Sequence, residues 1–243
     1  MERNEPDTVL IYSPDWTHRT ALENLFSQES LRDGLVIKTA ETVSDLLANS
    51  HSPPALIILD IQPRSAPGII LTLRKKYPLV SLIFTGDYFL YSDRIVAEYF
   101  GGIWLKQYDA LMAGYPATGV TEHMTSSLFA GACPSVRIFS DTTTINDVLP
   151  LLDLWLSQRL AGVVSSYRMR EVALDWFVRG VSLREVACRL RRSEKVLYHY
   201  RCLMMQALGI RHYSRDFIPS LTVTAGPVRR GGSVEPPLPA SAG

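Results

Sequence analysis

The chain is poor in cysteine. Cys133, Cys188 and Cys202 form an odd, widely spaced set, which frames no disulfide scaffold and fits reduced thiols in a cytosol. Long hydrophobic runs are also missing. The longest, residues 55–61 and 149–156, are interrupted by Asp60 and Asp153 and fall well short of the roughly 20 residues a membrane helix needs. The opening MERNEPD has no apolar stretch behind a basic start, so no secretory leader is expected, and a cytoplasmic location is. There is no GxxxxGK[ST], GxGxxG, HExxH or GxSxG motif. The five histidines, at 18, 51, 123, 199 and 212, have no zinc-ligand spacing. Neither a metal nor a cofactor is expected. Enzymatic activity would rest on fold analogy alone, so a non-enzyme is expected.

What remains is an ordinary folding composition. Of 243 residues, 47% are apolar and 20% charged, enough for one large or two small domains. The net charge of +1 conceals a division. Residues 1–160 hold 12 basic and 18 acidic side chains, whereas residues 161–243 hold 13 and 6. An acidic front and a basic back imply two domains with different partners, nucleic acid being the natural one for the back.

The front alternates apolar runs with helical spacing. Residues 8–12, 35–39, 55–60 and 79–85 read as strands, the third apolar on both faces as a central parallel strand is. Residues 18–28, 42–48 and 69–77 read as helices, Thr42 being a candidate cap. This order predicts a doubly wound parallel α/β sheet. Residues 86–134 follow no single period; 136–140 reads as a further strand, and 145–160 as a helix with Pro150 inside it. The back predicts an all-α unit of helices over 169–179, 182–192, 194–208 and about 214–221. Pro, Gly, Ser and Ala dominate residues 225–243, which predicts a disordered tail. The expected division is 7–160, 163–222 and a tail from 223.

Residues 180–210 carry the most information. Ser182 is placed to cap one helix with Glu185 three residues on, and Ser193 to cap the next. Val186, Ala187 and Leu190 form the buried stripe of the first helix; Leu197, Met204, Leu208 and either Tyr200 or the stem of Arg201 form that of the second. Lys195, Tyr198, His199 and Cys202 are left on the opposite face, and Gly209 closes the second helix. Two helices joined by a tight turn, the second presenting polar and basic groups, suit a DNA major groove.

This stretch resembles the LuxR/FixJ-type DNA-binding domain, without gaps, over 31 positions. Gly180, Ser182, Glu185, Ala187, Leu190, Ser193, Leu208 and Gly209 match in type; Val196, Tyr198 and Tyr200 replace the usual Thr, Lys and His. The resemblance implies that Lys195, Tyr198, His199 and Cys202 face the groove beside Arg201, with Ser193 at the helix start. It implies that Arg184, Arg191 and Arg192 reach phosphates. It also makes the last helix a dimer contact on a pseudo-palindromic site.

The front resembles a response-regulator receiver. Asp60 ends the third strand where the phosphoacceptor belongs, and Thr85 ends the fourth where a hydroxyl belongs. The acidic pair that would hold Mg²⁺ is replaced by Tyr12 and Ser13, and Asp15 reads as a helix cap. Lys106 stands near the position of the family's lysine, but the better fit for the receiver's end is 136–140 followed by the helix from 145, a register that contains no lysine. The combination is similar to enterobacterial Rcs-type auxiliary regulators. It implies a phosphorylation-independent transcriptional regulator, either a homodimer or a heterodimer with another LuxR-type regulator. The alternatives are a phosphorylatable response regulator and an interaction protein that titrates a partner without binding DNA.

Overall fold

A computed structural model of the chain describes residues 8–33, 35–48, 53–112, 135–164 and 166–225. Strands β1 (Thr8–Tyr12), β2 (Val36–Ala40), β3 (Leu56–Leu59), β4 (Ser81–Gly86) and β5 (Ile103–Gln107) form one sheet in the order β2-β1-β3-β4-β5. Every neighbouring pair is parallel. Parallel neighbours require crossovers, and α1 (Trp16–Asp33), α2 (Val43–Ala48), α3 (Pro67–Lys76) and α4 (Tyr91–Phe100) supply them. A short helix, α5 (Tyr108–Met112), follows β5.

Side chains alternate along each strand, so the sheet divides the core into two layers. Leu10, Tyr12, Ile57, Leu59, Leu82 and Phe84 meet Leu46 of α2, α3 and α4 on one face. Val9, Ile11, Leu56, Ile58 and Ile83 meet Leu22, Leu25 and Phe26 of α1 and Leu111 of α5 on the other. Local caps fix where the helices start. The Thr42 hydroxyl accepts from the Asp45 amide (3.1 Å), and the Asp45 carboxylate accepts from the Thr42 amide (3.0 Å). Asp15 accepts from the Thr17 amide (2.8 Å), the capping role its position predicts.

The end of the sheet differs from the expected register. Residues 136–140 form no strand; they lie against the end of α4, where the Arg137 amide donates to the Phe100 carbonyl (2.9 Å). The fifth strand is Ile103–Gln107, with Lys106 opposite Thr85. Gly101 and Gly102 make this possible. Both adopt positive φ, at +70° and +58°, and a Cβ on Gly101 would stand 2.0 Å from the Ser135 carbonyl oxygen. The buried Arg74 guanidinium seals this corner by donating to the carbonyls of Val80 (2.5 Å), Gly101 (2.7 Å) and Gly102 (2.8 Å).

Helix α6 (Ile145–Val163) runs unbroken through Pro150, from a cap in which Asp147 accepts from the Thr144 amide (2.8 Å). Val148 and Leu152 join the sheet core, and Leu160 joins the helical core beyond it. There α7 (Tyr167–Val172) passes into one wide π turn, Ala173–Val178, followed by α8 (Leu183–Leu190), α9 (Glu194–Ala207) and α10 (Tyr213–Ser220). The chain then returns to the sheet. The Ser92 hydroxyl donates to the Pro219 carbonyl (2.6 Å), and the Thr224 amide donates to the Arg64 carbonyl (2.9 Å). Val223 packs on the sheet core. The expected tail is therefore held at its first residues; 226–243 lie outside the described residues, as does Cys133.

Candidate nucleic-acid interface and acidic pocket

Helices α8 and α9 are joined by only Arg191, Arg192 and Ser193. Arg191 takes the left-handed conformation (φ 51°) as it ends α8. The Ser182 hydroxyl accepts from the Glu185 amide (3.2 Å), as its spacing predicts. Ser193 occupies the cap position of α9, but its side chain makes no capping bond. Val186, Ala187 and Leu197 are buried together with Val172 and pack against Leu183, Leu190, Trp176 and Tyr200. Tyr200, rather than the stem of Arg201, thus supplies the fourth inward position of α9.

The opposite face is open. Lys195, Tyr198, His199 and Cys202 are all exposed, and their spacing puts them on one side of α9. Arg191, Arg192 and Ser193 are exposed in the turn, and Arg184 is exposed in the first turn of α8. Arg201 is the exception. It is half-buried beside Trp176 and Tyr198, its guanidinium 5.8 and 5.7 Å from the two ring centres. Burial pulls its pKa down from the usual arginine value. Trp176 and Tyr198 meet edge to face at 5.1 Å, which fixes the Tyr198 ring on the open side.

One structural residue is not legible in the sequence pattern. Asp175, buried in the π turn, pairs with Arg179 (2.6 Å) and with Arg189 of α8. No periodicity announces a π turn.

A hydrogen-bonded cluster at the carboxyl edge of the sheet is built from Asp60, Ser13, His18 and Tyr108. The Ser13 hydroxyl donates to Asp60 Oδ2 (2.6 Å), and His18 Nδ1 lies 3.1 Å from the same oxygen. The Tyr108 hydroxyl donates to Oδ1. Both carboxylate oxygens are therefore engaged by the chain's own donors. Burial and the Asp60 carboxylate push the Tyr108 phenol well above its usual pKa, so it remains a donor at neutral pH. Thr85 is buried on β4, and Lys106 stands opposite it on β5. Asp15, engaged in its cap, adds no second carboxylate to Asp60. No cluster of three or more metal-binding side chains occurs among the described residues.

The order of strands and the helical unit behind them have counterparts among solved structures. Two structures of RcsB bound to DNA, one of them described as a two-component response regulator, align with TM-scores of 0.54 and 0.52 at 18% identity. They cover 89% and 90% of this chain, and 98% and 100% of their own. The fold is that of RcsB. RcsB from Salmonella enterica serovar Typhimurium, bound to a promoter with phosphomimetic BeF3⁻, aligns with a TM-score of 0.54 at 16% identity, covering 88% of this chain and 98% of its own. No protein-family model matches the chain, and no curated protein matches it by sequence. Among the described residues, no helix is long and apolar enough to cross a membrane.

Proposed function

We propose that the chain is a sequence-specific, DNA-binding transcriptional regulator whose receiver-like front works without aspartyl phosphorylation. The observation that carries the DNA-binding part is the uncovered face of α9, flanked by the exposed cations of the preceding turn. In this reading α8 and α9 form a helix-turn-helix over 163–222. Lys195, Tyr198, His199 and Cys202 approach base edges, and Arg184, Arg191, Arg192 and Ser193 position the backbone. Arg201 supports Tyr198 from beneath. The RcsB structures that share the fold contain DNA, one of them two RcsB dimers on two parallel DNAs, and a dimer suits this chain as well, with itself or with another LuxR-type regulator.

Phosphorylation independence rests on Asp60. Phosphoryl transfer to a carboxylate needs Mg²⁺ held by further acidic groups. Here Ser13 stands in their place, and two hydroxyl donors occupy the acceptor, one on each carboxylate oxygen. Two experiments test the two halves. Salt-dependent gel shifts on fragments selected from a random library should give specific complexes, and Arg191→Ala with Arg192→Ala should lower the salt slope by about 1 per lost phosphate contact. Equal binding by that variant would sink the assignment. Incubation with acetyl phosphate and Mg²⁺ should leave the mass unchanged; a phosphoryl group on Asp60 would restore the alternative of a switched response regulator.

A further inference from the structure

A polar cavity of about 220 Å³ lies between the sheet module and the start of α10. Asp87, Tyr88 and Arg94 line it from the β4–α4 side, Gln107 from the end of β5, and Arg211 and Arg215 from the opposite wall. It thus opens beyond the carboxyl ends of β4 and β5, the side on which open parallel sheets take their ligands. Its charges are unevenly paired. The Arg215 Nε donates to Asp216 Oδ1 (2.8 Å), and the Arg215 guanidinium lies over the Tyr88 ring (5.0 Å). The Arg94 and Arg211 side chains make no ion pair or hydrogen bond among the described residues. Asp87 is the one acidic lining group not held by an arginine, and it is exposed.

Two forked cations without side-chain partners line one polar hollow, an arrangement suited to an anion. A guanidinium binds a phosphoryl group through two parallel hydrogen bonds, and two of them share a small polyanion without crowding. The volume lies below the roughly 300–1,000 Å³ of a drug-sized site, which favours a pyrophosphate or sugar phosphate over a dinucleotide. We propose that this interdomain cavity binds a small phosphorylated anion through Arg94 and Arg211, with Gln107 and Tyr88 as neutral hydrogen-bonding walls. Such a ligand touches both modules at once, so its binding strengthens their docking. The phosphate-responsive site of this chain is then at the seam between the modules rather than at Asp60.

The test is calorimetric titration of the full chain with sodium pyrophosphate, without Mg²⁺ and at fixed ionic strength. The wild type should give a saturable one-site isotherm. Arg94→Gln combined with Arg211→Gln should bind about tenfold more weakly or worse; both side chains are exposed and unpaired, and an unchanged unfolding midpoint without ligand verifies the fold. Arg191→Gln combined with Arg192→Gln, in the candidate DNA face, should bind as the wild type does. No saturable heat with the wild type, or a loss that follows Arg191 and Arg192 instead, would overturn the proposal. Neither result bears on the DNA-binding reading, which the gel shifts decide separately.

Discussion

At the scale of single residues, a few buried polar groups determine how the sheet is closed. Arg74 is 1% exposed and spends its guanidinium on three backbone carbonyls at the β4–β5 corner. Arg74→Met keeps the stem but leaves those carbonyls without a donor. Each buried carbonyl left unsatisfied costs about 1–3 kcal/mol, so the variant should unfold at markedly lower urea, with a loss of at least about 2 kcal/mol. An unchanged midpoint would refute the role given to this side chain. Tyr108 makes a second prediction, this time of pH dependence. Its phenol is raised above 10.0, the value it takes when exposed. A group raised on folding lends stability that is complete below its unfolded pKa and fades above it. The native protein should therefore lose stability as pH climbs past about 10, because the unfolded chain releases a proton that the native state retains. Comparing urea midpoints at neutral and strongly alkaline pH should show a smaller fall for Tyr108→Phe than for wild type.

At the scale of elements, the sequence is legible where a local rule operates. The four expected strands and the caps at Thr42, Asp15 and Ser182 follow from alternation and side-chain chemistry alone. The last strand does not. Residues 136–140 read as a strand while 103–107 fall in a stretch without a single period, and the strand at Ile103–Gln107 depends on the Gly101–Gly102 turn and on Arg74, which are tertiary facts. The π turn is illegible for a related reason: it alters the helical period at the place where period is the only signal. Its carboxylate, Asp175, joins the wide turn to α8 through Arg189. Asp175→Ala removes two charge-assisted bonds whose arginines remain partly hydrated, so the cost should be moderate, roughly 1–3 kcal/mol. Amide exchange should report it as faster opening of Leu183–Leu190, with the sheet strands unaffected. Uniform acceleration across the whole chain would contradict the local role. On the outer face the candidate contacts were legible throughout, because the spacing that buries Leu197 and Met204 necessarily exposes Lys195, Tyr198 and Cys202. The resemblance placed Arg201 at the groove edge; its position beneath Tyr198 required Trp176, a residue two helices away in sequence.

At the scale of the whole molecule, the two modules are joined at more than one point. Helix α6 contributes to both cores, and the residues after α10 fasten to the sheet module at Arg64. Arg64 is itself held by the fully buried Asp93, whose carboxylate also accepts from the Leu90 amide (2.8 Å). Removing residues 223–243 should destabilise the front module by on the order of 1–3 kcal/mol, from the loss of Val223 burial and the Thr224 hydrogen bond. The shortened chain should then unfold at lower urea, and resist protease for less time, than the full one. Equal resistance would mean that the attachment adds nothing to stability.

The same attachment has a consequence for synthesis. A domain that leaves the ribosome first ordinarily completes its surface while the rest is still being made. Here the front module waits for Val223 and Thr224, which are translated after the whole helical unit. Until they emerge from the exit tunnel, the nascent front half lacks the Val223 contact and the Thr224 hydrogen bond, which makes residues beyond α10 part of its folding schedule.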